Sequence, residues 1–293
     1  MIRYQTLTIG LLLCIPSYSA IASNNTATVL QSGLTNSATV DQGDPTAIGN
    51  LVTQIQSGNL NTANATQITN STSNGIDQEQ LGDSNSIFST QTAATNTTAT
   101  VYQDGVSHSV TTSQTNTTTS SGSVEQFGTL QSATISQVNS VSDNADFEQF
   151  GTQNLATVTQ ANSDSSTTIS SQSGDSNGAG YTQTGLAHLI DATQIGTSNT
   201  ISAVQSSQQG SITIMQDGDN NTSFHGQFGT FATGSSTQIG SMNMINMNQG
   251  GTNNLATTLQ IGTNNSHQTS QNGISQTANA TQNGSNNMGF IFQ

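Results

Sequence analysis

QFGTQNLATVTQ, residues 149–160, has the form of one turn of a repeating β-structure. Gln149 and Gln160 stand eleven residues apart, Gly151 follows the first glutamine by two, and Asn154 follows it by five. Ala156 and Val158 alternate with Thr157 and Thr159. A period of two is that of a strand with one face inward, and glycine supplies the positive φ that a tight reversal needs. The stretch therefore predicts strand, tight turn, strand.

The same frame, Q-x-G-x-x-N with a second glutamine at +11, extends along the chain. First glutamines fall at Gln31, Gln56, Gln80, Gln103, Gln126, Gln149, Gln172, Gln194, Gln216, Gln238, Gln260 and Gln282. Second glutamines follow at Gln42, Gln67, Gln91, Gln114, Gln137, Gln160, Gln183, Gln205, Gln227, Gln249, Gln271 and Gln293. The +5 position holds Asn36, Asn61, Asn85, Asn154, Asn177, Asn199, Asn221, Asn243, Asn265 and Asn287, with His108 and Gln131 in the other two copies. Spacing between first glutamines falls from 25 through 24 and 23 to 22. The extra residues of the longer copies lie in segments such as GDPTAIGN, residues 43–50, where Gly and Pro mark a turn.

One copy cannot bury its own inner face, so neighbouring copies must supply the missing contacts. The expected fold is all-β: a β-solenoid of about twelve strand-turn-strand rungs forming two facing parallel sheets. Small and β-branched residues before each glutamine face inward, and polar and acidic ones face out. Glutamine carries an acceptor and two donors, so identical side chains one rung apart can bond along the column and satisfy one another.

Composition alone points elsewhere. With 293 residues, 30% hydrophobic, 4% aromatic and 5% charged, the chain is poor in both apolar and charged side chains for a globular domain. Its bulk of Ser, Thr, Asn, Gln and Gly is that of a disordered tract. Disordered tracts do not hold a register, however, and this one is held over the whole chain after residue 23. The core must be thin.

Residues 1–22 read as a cleaved secretory signal, with Arg3, an apolar run over residues 9–15 and a small-x-small end at Ala20, Ile21 and Ala22. Residues 23–293 then form one repeat domain. Cleavage would remove the single basic residue, Arg3, and the single cysteine, Cys14, and leave 15 acids. Phosphate-backbone binding relies on cations, so nucleic acid is a poor partner. Disulfides cannot hold such a fold together.

No catalytic residue, cofactor, metal site or small-molecule substrate is expected. His108, His188, His225 and His267 sit in separate rungs and take the places of Asn, Ala or similar residues. Asp217 with Asp219, and Asp143 with Asp146 and Glu148, complete no known cation loop, and acids at turns and outward positions are expected to solvate the column. Two alternatives are a monomeric β-solenoid surface adhesin and an ice-binding protein. The ice reading needs two unbroken outward threonine columns, and the residues before the second glutamines break them with Phe88, Gly180, Val204 and Asn246.

The repeat resembles the curlin repeat of bacterial curli, Q-x-G-x-x-N-x-A-x-x-x-Q. QSGLTNSATVDQ (residues 31–42), QSGNLNTANATQ (residues 56–67) and QFGTQNLATVTQ match it at every fixed position. The resemblance implies a secreted subunit that polymerises with itself into extracellular amyloid fibres at the bacterial cell surface, for adhesion and biofilm matrix. It also implies that the inward Gln and Asn direct assembly, and that a nucleator subunit and an outer-membrane secretion pore are partners.

QNGSNNMGFIFQ, residues 282–293, is a complete rung in this frame. Parity places Ile291 inward and Phe290 and Phe292 outward. This rung is expected to be an open contact for another subunit, with the two phenylalanines adding a lateral or nucleator contact.

Overall fold

The computed structural model describes residues 24–293; the expected signal, residues 1–22, lies outside the described residues. Among them all regular structure is β: twenty-four strands, two to a rung, in a β-solenoid of about twelve turns. The described residues divide into two compact units, the first ending at Ala145 and the second running from Asp146 to Gln293.

The first unit carries β1 (Thr26–Ser32), β2 (Ser37–Asp41), β3 (Leu51–Ser57), β4 (Thr62–Ile68), β5 (Gly75–Asp83), β6 (Ser86–Thr92), β7 (Thr98–Val106), β8 (Ser109–Thr115), β9 (Ser121–Thr129) and β10 (Ser132–Val138). Odd-numbered strands stack into one parallel sheet and even-numbered strands into a second. Register follows the repeat: Gln31 pairs with Gln56, Gln56 with Gln80, Gln80 with Gln103 and Gln103 with Gln126. The varying rung length is absorbed in the turn after each even strand, where single-residue bridges stack Ile48, Thr72, Thr95, Thr118 and Val141. In GDPTAIGN, the Ala47 N–H donates to the Asp44 carbonyl at 3.0 Å, closing the turn that Gly and Pro signal. Ala27, Val29, Val40, Val52, Ala65, Ile76 and Ala99 form its core between the sheets.

The second unit carries most of β11 (Asn144–Thr152), then β12 (Leu155–Asp164), β13 (Thr167–Asp175), β14 (Gly178–Leu186), β15 (Leu189–Thr197), β16 (Thr200–Gln208), β17 (Ser211–Asp219), β18 (Thr222–Gln227), β19 (Thr233–Ser241), β20 (Met244–Gln249), β21 (Leu255–Thr263), β22 (Ser266–Gln271), β23 (Thr277–Ser285) and β24 (Met288–Phe292). Odd and even strands again stack separately, all parallel. Gln172, Gln194, Gln216, Gln238, Gln260 and Gln282 stand in one row. A bulge between Gln160 and Ser163 takes up the extra residue of the β12 rung. Buried Phe147 and Tyr181 lie beside each other in this core, ring centroids 6.2 Å apart, and the Tyr181 hydroxyl meets Ser170 Oγ at 2.9 Å.

The turn after each odd strand is set by the glycine at +2. Gly218 has φ +120°, and a Cβ built there would lie 2.0 Å from the carbonyl oxygen of Gly240 in the next rung. Backbone conformation and rung spacing therefore demand glycine independently. Two residues further on, the chain enters the left-handed region a second time with ordinary residues, as at Leu60 (φ 59°), Leu130 (φ 56°) and Met242 (φ 55°).

Candidate functional site

The predicted glutamines form two ladders in each unit, one in each sheet. In the odd sheets Nε2 of Gln56 donates to Oε1 of Gln80 at 2.8 Å, Gln103 to Gln126 at 2.9 Å, Gln149 to Gln172 at 2.7 Å and Gln194 to Gln216 at 2.9 Å. In the even sheets Gln67 donates to Gln91 at 2.7 Å, Gln114 to Gln137 at 2.8 Å, Gln160 to Gln183 at 2.9 Å and Gln249 to Gln271 at 3.0 Å. Within both units the sense is uniform: the lower-numbered glutamine donates and the higher-numbered one accepts.

The second amide hydrogen crosses to the opposite sheet. Gln216 Nε2 donates to the Thr200 carbonyl at 3.1 Å, and Gln227 Nε2 to the Ser211 carbonyl at 2.9 Å. Most interior carboxamides thus tie their rung to the next and their sheet to the facing one. A shorter inner row accompanies the first unit's ladders: Gln54 Nε2 donates to Gln78 Oε1 at 2.8 Å, and Gln78 Nε2 donates to Ser89 Oγ at 2.8 Å.

The predicted asparagines hold turns rather than an amide-to-amide ladder. Asn61 Oδ1 accepts from the backbone N–H of Asn85 at 2.9 Å, while Asn61 Nδ2 donates to the Gly82 carbonyl at 2.7 Å. The same pair of bonds recurs at Asn154, Asn177, Asn199, Asn221 and Asn243. Backbone groups in a turn have no strand partner, and these side chains supply one. Asn265 and Asn287 also reach the preceding asparagine's Oδ1, at 3.1 and 2.9 Å.

His108 stands in that column and imitates asparagine. Its backbone N–H donates to Asn85 Oδ1 at 3.0 Å, its Nδ1 accepts from the Gln131 N–H at 3.3 Å, and its Nε2 faces the Asp104 carbonyl at 3.4 Å. His188 repeats the arrangement at the other turn, with Nδ1 accepting from the Gly210 N–H at 3.3 Å and Nε2 facing the Thr184 carbonyl at 3.1 Å. His225 lies in the core between Ala203 and Met247 of neighbouring strands, its Nε2 2.9 Å from Ser236 Oγ. Burial pushes the His225 imidazole down to about 3, and burial also lowers His108 and His267.

A second column of turn side chains lies six residues before each first glutamine and escapes the alignment on Q-x-G-x-x-N. Asn25, Asn50 and Asn74 begin it: Asn25 Oδ1 accepts from the Asn50 N–H at 2.9 Å, and Asn50 Oδ1 from the Asn74 N–H at 3.0 Å. The varying rung length hides it when copies are aligned forward. Asp143 occupies this turn column with 1% exposure, so it does not solvate the column as acids at turns and outward positions are expected to. Asp143 stands where other rungs place a turn-holding amide, and its backbone N–H donates to Ser120 Oγ at 3.2 Å.

The other acids take outward or turn positions. Asp44 accepts from Thr46 Oγ1, Thr46 N and Thr69 N, and these bonds hold its carboxyl below the usual range. On the outer face of the first unit's odd sheet, Tyr102 stands between Glu79 and Glu125; partial burial, then Asp104 and those carboxylates, raise its phenol. Among the described residues no group of three or more His, Cys, Asp or Glu is placed to hold a metal ion. Phe290 and Phe292 point outward with 57% and 66% exposure and stack on each other at 6.2 Å, while Ile291 packs against Met247, Ala256 and Ala278.

Neither protein-family models nor curated proteins show a match to the chain.

Proposed function

We propose that the chain is a secreted structural subunit that assembles with further copies of itself into extracellular, curli-like amyloid fibres serving cell adhesion and biofilm matrix. The observation that carries this reading is the sameness of the junction between rungs. In each unit one rung meets the next through glutamine on glutamine, in register and in one donor sense. A rung of a second copy carries the same residues at the same spacing, so it can continue such a ladder as well as the chain's own next rung does. The curlin-like spacing supports the same conclusion, and on that resemblance rest a nucleator subunit, a curli-type outer-membrane pore and a place at the bacterial cell surface. The function is mechanical, with no catalysis, no bound small molecule and no nucleic acid.

Fresh protein at neutral pH is expected to form Thioflavin-T-positive fibres, faster with added salt because 15 acids are screened. Fibre diffraction should show spacings of ~4.8 and ~10 Å. A chain that stays soluble and monomeric for days, with and without salt, would overturn the proposal.

A further inference from the structure

All 15 acids of the sequence lie at or before Asp219, and residues 220–293 contain no Asp, Glu, Lys or Arg. The asymmetry is also one of faces. In the second unit the odd-numbered sheet and its turns carry Asp175, Asp191, Asp217 and Asp219, while the outer positions of the even-numbered sheet from β14 to β24 carry no charge. Across that face Phe224 stands beside Asn246, Asn246 beside Gln268 and Gln268 beside Phe290. Phe224, Met244, Phe290 and Phe292 are exposed on it.

We propose that this charge-free outer face, centred on Phe224, Asn246 and Phe290, is the surface on which a second copy of the chain docks, sheet against sheet. Charge selects the occupant's orientation: two copies of net charge −14 repel wherever their acids approach, and the single cation, Arg3, lies outside the described residues. The even-numbered sheet offers the longer charge-free face, six strands from β14 to β24, against three in the odd-numbered sheet, β19, β21 and β23. Geometry gives the extent. Six strands ~4.8 Å apart and about 20 Å long present about 600 Å² per copy, or about 1,200 Å² in all, the size at which specific interfaces begin. The contact is isologous, each face meeting its equivalent. It is independent of rung stacking, because strand edges take no part in it.

The test is sedimentation velocity on freshly dissolved full chain over about 1–100 μM. The wild type should sediment as a dimer that dissociates on dilution. Asn246→Asp, exposed and nearly isosteric, and Phe224→Asp with Phe290→Asp, should weaken the dimer at least about tenfold as two like charges meet across it. Thr257→Asp, on the outer face of β21, should leave it unchanged. A wild type that is monomeric throughout, or equal weakening by Asn246→Asp and Thr257→Asp, would overturn the proposal, as would binding of the monomer to neutral vesicles in place of itself. Where fibres form first, their width in electron micrographs replaces sedimentation. Thin, Thioflavin-T-positive fibres from Asn246→Asp beside double-width wild-type fibres would support the lateral contact, and equal widths would overturn it while leaving rung stacking intact.

Discussion

The Nε2 of Gln194 lies 2.9 Å from the Oε1 of Gln216 and donates to it, and Gln216 passes the same bond on to Gln238 at 2.8 Å. Gln216 is also a donor to the Thr200 carbonyl across the core. Gln216→Ala therefore strands a donor below, an acceptor above and a carbonyl opposite. Leaving buried polar groups unpaired costs about 1–3 kcal/mol each, so the substitution should destabilise fresh monomer by about 3 kcal/mol or more. Urea unfolding followed by circular dichroism measures this, with outward Thr257→Ala expected within about 0.5 kcal/mol of wild type.

Glycines divide into two kinds. Gly218→Ala sets a Cβ 2.0 Å from the Gly240 carbonyl at a φ of +120°, so the two rungs must separate; a loss of about 3 kcal/mol or more is expected. Gly180→Ala, where the nearest atom to a new Cβ is Thr157 Oγ1 at 3.6 Å, should change stability by no more than about 0.5 kcal/mol. Thermal unfolding of the two variants side by side tests the contrast.

Asn199 accepts from the Asn221 N–H at 3.0 Å and donates to the Gly218 carbonyl at 2.7 Å. Asn199→Ala should cost about 2–3 kcal/mol. Asn199→His should recover more than half of that, because His108 already performs the acceptor role in the same column. Equal losses for the two variants would show that the turn needs the amide itself.

Acid should loosen the second unit through His225. Its folded pKa of about 3 lies below the unfolded value of 6.5, so between these limits the unfolded chain binds a proton that the folded one refuses. Stability then falls as pH drops below 6.5, by about 1.4 kcal/mol per pH unit from this residue. His225→Met, which copies Met247 one strand on, should remove that part of the dependence. Urea midpoints of wild type and variant at pH 7, 5 and 4 give the answer.

Much of this fold is legible in the sequence because one rung is short and its constraints fall at fixed offsets. The glutamine rows, the glycine turn and the alternation around Ala156 and Val158 follow from spacing alone. What stays hidden is what spacing cannot carry. The column of Asn25, Asn50 and Asn74 drifts out of frame as rungs shorten, and Asp143 hides within it. The left-handed backbone at Leu60 and Met242 has no residue preference, since the neighbouring glycine and asparagine impose it. The asparagine column was legible as a row, but its partners are backbone groups, which no side-chain pattern reveals. Likewise the second amide hydrogen of most ladder glutamines crosses the core to carbonyls that belong to no motif.

The single donor sense of the ladders makes each column a vector. Carboxamides aligned this way add their dipoles as peptide units do along an α-helix, with the N–H end toward higher residue numbers. Two rungs brought together with opposed sense would set donor against donor. A molecule built almost wholly of uncharged side chains thereby distinguishes up from down.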